Sequence, residues 1–425
     1  MLEYDTLDKE TYFEVRQPVS PENFKGRVSS VNKILRYTNL ATSSKTQHFF
    51  LTGDMGIGKT SLAKFTMKCA EEKFGMTGIY VSVKGINTLN ELVDAIINEI
   101  LEKIPTNDVK ELVKEIFGNI ESLDFKVVKF KFKTTADDSD NIIKNFPYYM
   151  QNLINKLNKE NGIFLVIDDI NGLTESKRFV DWYKNFADSI AVKDNLNLKL
   201  YILFASYPLK LEEFVLKEPS FGRIFNQEDL LPFSDDEVKD FFKDTFEKGY
   251  IKCSDEALNI FTKFSNGLPL IMQQIGDSTF WLNDKDEITG DIALKGVMEA
   301  INEIGKKEMR SVLNLISKLN YDSLLLKLGN NKLNSFNKKD LEEISDDEKL
   351  SVIDNFLNDM VKYKILYHIG PEERQYYGFV NSLYYIYFKI KSYDFSKENI
   401  DDACGFIDLG YETNALDLEK ELYEK

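Results

Sequence analysis

Histidine is almost missing from this sequence, which carries only His48 and His368, so a histidine-based metal centre or catalytic triad has hardly any residues to draw on. Cysteine is nearly as scarce. Cys69, Cys253 and Cys404 are an odd number spread far apart, which excludes a disulfide scaffold, offers no zinc spacing and leads us to expect reduced thiols in a cytoplasmic protein. No run approaches the roughly 18 uninterrupted apolar residues of a membrane-spanning helix. The start, MLEYDTLDKE, is acidic where a secretory or transit peptide is basic, so a soluble chain is expected. Positive charge is also short: 70 acidic residues against 54 basic ones give a net charge of −16, and Lys391 to Lys425 alone holds ten acids against four lysines. A surface of that sign repels phosphate backbones, so DNA is disfavoured as a partner unless a local basic patch carries it. Only seven of the basic residues are arginines, and each is worth examining because a guanidinium does what an ammonium cannot.

What remains is a composition fit for globular domains. The 425 residues, 43% of them hydrophobic, suit two to three domains at roughly 150 residues each. Residues 1–20 lack a periodic pattern and read as an extended lead-in. From residue 21 to 233 short apolar runs alternate with longer amphipathic stretches, the mark of a parallel sheet covered by helices. The runs His48 to Gly53, Gly78 to Val83, Ile163 to Asp168 and Leu198 to Ser206 are too continuously apolar for half-exposed strands. Helices are expected at roughly 59–74, 88–104, 138–160, 174–193 and 208–217. An irregular insert at about 106–137 interrupts the alternation, and within it Phe125 to Lys133 alternates apolar residues with lysines, a strand period. Residues 234–295 read as helical, opened by Ser234 as an N-cap with acidic residues behind it. In 296–390 helical patterns lead to two short apolar strands around Gly370-Pro371, an order that suggests a winged helix. Residues 391–425 form an acidic C-terminal segment.

The chemistry concentrates after the first strand. Gly53-Asp54-Met55-Gly56-Ile57-Gly58-Lys59-Thr60, followed by Ser61, fits the phosphate-loop pattern and stands between a strand and a helix, where its mechanism requires it. Glycines let the loop aim backbone N–H groups at phosphates, and the helix N-terminus adds partial positive charge. Lys59 is expected to neutralise the β- and γ-phosphates of ATP, and the Thr60 hydroxyl to ligate Mg²⁺. The strand Ile163 to Asp168 supplies the carboxylate that such a site needs. Asp168 at the strand tip is expected to hold Mg²⁺ through water, with Asp169 placed to orient or deprotonate an attacking water. Ser206, ending the strand Leu198 to Ser206, is a candidate for binding the γ-phosphate or the lytic water; the alternative is an ordinary turn residue before proline. The motifs predict an α/β, three-layer P-loop NTPase domain.

At this point the sequence resembles the archaeal-ATPase-type P-loop NTPases of the AAA+ and STAND-like group, relatives of the origin-recognition ATPases. Besides the two phosphate-site motifs, Asn23-Phe24-Lys25-Gly26-Arg27 resembles the family's "F-x-G-R" box. Pro219 to Arg223 resembles the "P-L-Y-G-R" stretch leading into a helical lid, and Gly267-Leu268-Pro269-Leu270 matches a "G-L-P-L" box. The resemblance implies a helical lid at 234–295 and a winged-helix domain at 296–390. It also implies that Phe24 and Arg27 lie near the adenine, with Pro269 packed by the base. Arg223 becomes a candidate arginine finger, acting most naturally on a neighbouring subunit; its alternative is a surface arginine, and Arg27 has the alternative of a structural ion pair. Two departures count: Asp169 stands where the family usually has glutamate, and Gly267 to Trp281 contains no arginine. Slow hydrolysis is expected to follow.

The reading is a Mg-ATP-binding ATPase acting as a slow switch that controls assembly or protein-partner engagement, as a homo-oligomer or with another protein. A DNA-engaging loader is the alternative, and a small-molecule kinase a second one. The third helix of the winged helix, about Asp347 to Lys364, carries too many acids for a major groove. Lys126, Lys129, Lys131 and Lys133 could instead touch a nucleic-acid backbone, or protect an edge strand from aggregation. Tyr376, Tyr377, Phe379, Tyr384, Tyr385, Tyr387 and Phe388 read as core or as a base-stacking platform.

Overall fold

The computed structural model describes residues 10–15, 18–43, 45–103, 143–157, 161–192, 198–345, 348–369 and 376–393. The insert with its lysine strand, the turn at Gly370-Pro371 and the acidic segment beyond residue 393 lie outside the described residues. The chain divides into two units. One comprises Pro18–Gly53 and Gly58–Leu231; the other takes Met1–Gln17, Asp54–Ile57 and Pro232–Lys425.

The first unit is built on a five-stranded parallel sheet. In chain order its elements are α1 (Val28–Thr42), β1 (Gln47–Gly53), α2 (Lys59–Phe74), β2 (Thr77–Ser82), α3 (Leu89–Glu102), α4 (Phe146–Lys156), β3 (Ile163–Asp168), α5 (Lys177–Val192), β4 (Leu200–Ser206), α6 (Pro208–Lys217), α7 (Phe221–Ile224) and β5 (Phe225–Leu230). The strand order is β2-β3-β4-β1-β5, every neighbouring pair being parallel. Strand alternation divides the side chains: Ile163, Leu165 and Ile167 of β3 join Leu200, Ile202 and Phe204 of β4 in a core with α3 to α7, and the other face packs on α1 and α2. All residues of β3 and β4 are buried, as their unbroken apolar runs require.

Three elements of this unit were not anticipated, the single-turn helix α7 among them. Helix α1 follows Arg27, which takes a left-handed backbone at φ 58° as its N-cap. Strand β5, Phe-Asn-Gln-Glu-Asp-Leu, buries only its two ends. It is an edge strand, so its middle carries polar side chains that hide it from an apolar-run reading.

The second unit continues with α8 (Asp235–Glu247), β6 (Lys252–Cys253), α9 (Asp255–Ser265), α10 (Pro269–Leu282), β7 (Glu287–Ile288), α11 (Gly290–Lys307), α12 (Arg310–Leu319), α13 (Asp322–Asn330), β8 (Ser335–Asn337), α14 (Lys338–Glu343), α15 (Leu350–Lys362), β9 (Leu366–Ile369), β10 (Tyr376–Phe379) and α16 (Ser382–Ser392). Ser234 caps α8 in a reciprocal pair with Glu237, satisfying two otherwise orphaned amides. Phe13 of the lead-in is buried against Phe241, Phe242 and Phe246. Gly276 of α10 makes room for it, since a Cβ there would stand 2.1 Å from the Phe13 ring. Helix α11 runs unbroken across residues 295 and 296, where the sequence suggested a domain boundary. Strands β8, β10 and β9 form an antiparallel sheet in that order. Tyr377, Phe379, Tyr385, Tyr387 and Phe388 are all buried, which places these aromatics in the core and leaves no base-stacking platform among them.

Candidate nucleotide site

Strands β1 and β4 are neighbours whose following connections leave in opposite directions, toward β2 and toward β5. In an open parallel sheet, ligands bind at the carboxyl ends of strands where such a reversal occurs. The phosphate-loop sequence lies at that rim. Three of its glycines have positive φ, 149° at Gly53, 77° at Gly56 and 97° at Gly58, a region that side-chain-bearing residues avoid. The loop turns on itself through Ile57 N–H to the Asp54 carbonyl (3.3 Å) and enters α2 with Leu62 N–H on the Gly58 carbonyl (3.0 Å). The first-turn amides of a helix have no acceptor within it and favour an anion.

Lys59 Nζ donates to the Gly53 carbonyl at 2.7 Å and lies 5.0 Å from the centre of the Tyr207 ring, so the ammonium is folded back along its own loop. Thr60 Oγ1 donates to Asp168 Oδ2 at 2.6 Å. This contact joins the two sequence motifs across the sheet. Asp168 is buried at 6% exposure, and the Tyr80 hydroxyl donates to the same Oδ2 at 2.6 Å. Burial, followed by the bond to Asp168, pushes the Tyr80 phenol far above its ordinary range, so it stays protonated and remains a donor. Asp169 has a left-handed backbone at φ 65°, and its amide donates to the Ala205 carbonyl at 3.1 Å, tying it to β4. Ser206 is buried and stands opposite Thr52 in the β1–β4 register, one strand from Asp168.

The other expected residues take varied places. Ser61 Oγ accepts the Val19 amide at 3.1 Å, and the Phe24 ring stacks on Phe65 of α2 with centroids 4.4 Å apart; both contacts lay the segment 18–24 along the helix that follows the loop. Arg27 donates to the carbonyl of Leu231, which makes it a support for the end of β5. Arg223 is exposed and two residues before β5, whose first residue, Phe225, is in register with His48, whereas Leu230 pairs with Gly53. It therefore sits at the rim opposite its own phosphate loop, a strand length of roughly 17 Å away at about 3.3 Å per residue. Pro269 opens α10. Within the C-terminal unit, which includes the loop tip Asp54–Ile57, the Leu270 amide donates to the Gly56 carbonyl at 3.1 Å and Ser382 hydrogen-bonds Asp54. Sequence reasoning missed Tyr80 and Tyr207. Tyr80 had a signal, a tyrosine on the same strand face as Ser82 in an otherwise apolar strand.

The donor set suits magnesium. Among the described residues no three His, Cys, Asp or Glu side chains converge as a metal cage. One carboxylate and one hydroxyl in contact beside a phosphate loop are what Mg²⁺ uses when most of its ligands are water and phosphate. Asp168 and Thr60 would hold it.

A family model described as Nephrocystin 3, N-terminal, matches residues 33–206, the stretch from α1 through β4. No curated protein matches the chain in sequence. Among solved structures, the Walker-type ATPase PABY2304 of Pyrococcus abyssi is similar with a TM-score of 0.55 at 16% identity, over 89% of this chain and 99% of that one. The Aeropyrum pernix ORC2 protein, in its ADPNP-ADP complexes, gives a TM-score of 0.56 at 14% identity, over 93% of this chain and 97% of that one. Among the described residues no helix is long and apolar enough to cross a membrane. With its parallel sheet, its glycine loop and the Thr60–Asp168 contact, the chain has the P-loop fold that these two solved structures share.

Proposed function

We propose that this protein binds Mg-ATP at the Gly53–Ser61 loop and hydrolyses it slowly, as a switch governing assembly or engagement of a protein partner. The reading is carried by the 2.6 Å contact between Thr60 and Asp168, which brings a hydroxyl and a carboxylate together where a loop and helix N-terminus favour phosphates. Magnesium, when bound, would draw charge from the triphosphate. Around it Lys59 neutralises phosphate oxygens, Asp169 orients or deprotonates water, and Ser206 hydrogen-bonds the γ-phosphate or that water. Phe24 flanks the base, with Arg27 holding the strand end behind it. Slow turnover is consistent with aspartate at 169, a shorter arm than glutamate. Arg223, turned to the opposite rim, supplies charge to a neighbouring copy's site, which makes a homo-oligomer the working form.

A DNA-engaging loader is the second reading, favoured by the likeness to an archaeal ORC2 protein and by the helices and three-stranded sheet of the C-terminal unit, which have the element order of a winged helix. Net charge of −16 opposes it. One experiment addresses both. The purified protein is mixed with ATP, ADP or neither, its mass is measured, and DNA retention is followed against salt. An ATP-dependent change in mass with no DNA retention supports the switch; salt-sensitive retention supports the loader; neither effect in a protein that binds ATP rejects both. Mixing Arg223→Ala with Asp168→Asn tests action across subunits, because each variant supplies what the other lacks and turnover should return only in the mixture.

A further inference from the structure

Asp168 Oδ2 accepts two hydroxyl protons, from Thr60 and from Tyr80, each at 2.6 Å. Only the first belongs to the phosphate-loop pattern. Tyr80 arrives from the edge strand β2, where the register pairs it with Val166 and pairs Ser82 with Asp168. Its phenol therefore reaches diagonally to the next same-face position of the neighbouring strand, a separation that aromatic side chains span. The ring is held from α2 as well: Lys64 Nζ lies 4.8 Å from its centroid, one helical turn beyond Thr60. The carboxylate thus held is buried at 6% exposure, and a buried carboxylate with unfilled acceptor sites is costly.

We propose that Tyr80 is a positioning residue of the magnesium site: with Thr60 it occupies Oδ2 of Asp168 and fixes the carboxylate plane, so that Oδ1 is presented to the metal's water shell. This inference rests on the nucleotide-site reading above and specifies what sets its metal affinity. Hydrogen-bond partners behind a metal's own ligands typically govern its affinity by roughly 10–100-fold. Phenylalanine at position 80 keeps the ring, its volume and the Lys64 contact, and removes the hydroxyl alone.

The test uses Mn²⁺ as a spectroscopically visible substitute for Mg²⁺. Mn²⁺ binding to the protein–ADP complex is titrated by electron paramagnetic resonance, ADP affinity in EDTA is measured by calorimetry, and thermal midpoints are recorded for the full-length protein and its Tyr80→Phe variant. The expected result is Mn²⁺ affinity lowered by about tenfold or more in Tyr80→Phe, with ADP affinity in EDTA kept within about twofold. A hydroxyl that serves only to satisfy the buried carboxylate predicts the reverse, a lower midpoint with unchanged Mn²⁺ affinity, and a role confined to packing leaves both unchanged; either result would overturn the proposal while leaving the nucleotide site standing. If the unaltered protein binds no ADP, or binds Mn²⁺ no better in its ADP complex than free ADP does, the nucleotide reading itself fails. A folded Tyr80→Phe variant that loses ADP binding equally with and without metal also counts against the positioning role.

Discussion

The two rims of the five-stranded sheet are built on different principles. At the carboxyl rim four of the five strands end in Gly53, Ser82, Asp168 and Ser206, small or polar residues, with an ammonium on the Gly53 carbonyl and two hydroxyls on Asp168. At the amino rim His48 lies among rings, with Tyr183, Phe225 and Phe186 at 5.7, 6.0 and 6.5 Å between centroids. Beyond them Phe214 stacks on Phe221 at 4.2 Å. One end spends burial on presenting polar groups to a ligand, and the other spends it on cohesion. The difference teaches that stability and binding are separable in this unit, and substitutions can be aimed at either rim.

The largest effect is expected at the aromatic end. Phe214 is fully buried, so Phe214→Ala removes a ring that its stacked neighbours cannot replace, at a cost of about 3–5 kcal/mol. Urea unfolding followed through the fluorescence of Trp182, which belongs to the same core, measures it. A loss under about 1 kcal/mol would mean that the site collapses freely and that the contrast between rims is weaker than drawn.

His48 extends the same contrast to pH. Burial holds its imidazole down at about 4, while Nδ1 lies 2.7 Å from the Tyr183 hydroxyl. Between pH 6.5 and 4 the unfolded chain takes up a proton that the folded chain refuses. The stability due to the neutral ring is therefore complete above 6.5 and declines as the pH falls toward 4, by about 3 kcal/mol in all. Urea midpoints at a series of pH values should show this slope, and His48→Gln should flatten it. An equal slope in the variant would assign the acid sensitivity to other groups.

At the carboxyl rim the expected change is in binding alone. Lys59→Ala should weaken ATP by roughly a hundredfold, near the upper end of what a charged hydrogen-bonding group contributes. The urea midpoint should barely move. Calorimetry showing unchanged affinity would remove the phosphate site, and an affinity loss matched by a stability loss would erase the distinction between the rims.

The contrast also explains what could be read from the sequence. Helices 59–74 and 208–217 and strand Ile163–Asp168 appear with the expected bounds, because buried parallel strands leave unbroken apolar runs and their helices leave a clear period. The phosphate loop was legible because its glycines are fixed by backbone geometry and not by neighbours. Tyr80 was not, since its role exists only through a diagonal contact between strands that are 88 residues apart in the chain. Arg223 was legible as an unusual arginine, yet its place at the far rim needed the β1–β5 register, and that strand was itself missed. Edge strands carry polar residues outward, and a polar strand looks like a loop until its partner is known.

That missed strand supplies the smallest expected effect. Strand β5 is held to α1 by polar contacts: Glu228 accepts from Ser30 Oγ and from Lys33 Nζ, both at 2.6 Å, and Lys33 Nζ also reaches the Gln227 carbonyl at 2.5 Å. The Lys33 side chain is 37% exposed and that of Glu228 17%, so solvent screens much of the attraction. Lys33→Met keeps the aliphatic stem against the strand and deletes the charge. It should cost about 0.2–1 kcal/mol, and the cost should shrink further in 1 M salt. Nucleotide affinity should stay unchanged, because the contact lies outside both rims. A loss of several kcal/mol would mean that a polar clamp, and not the aromatic end, decides how firmly the last strand is attached. The weight given to Phe225 and its neighbours would then have to move to Glu228.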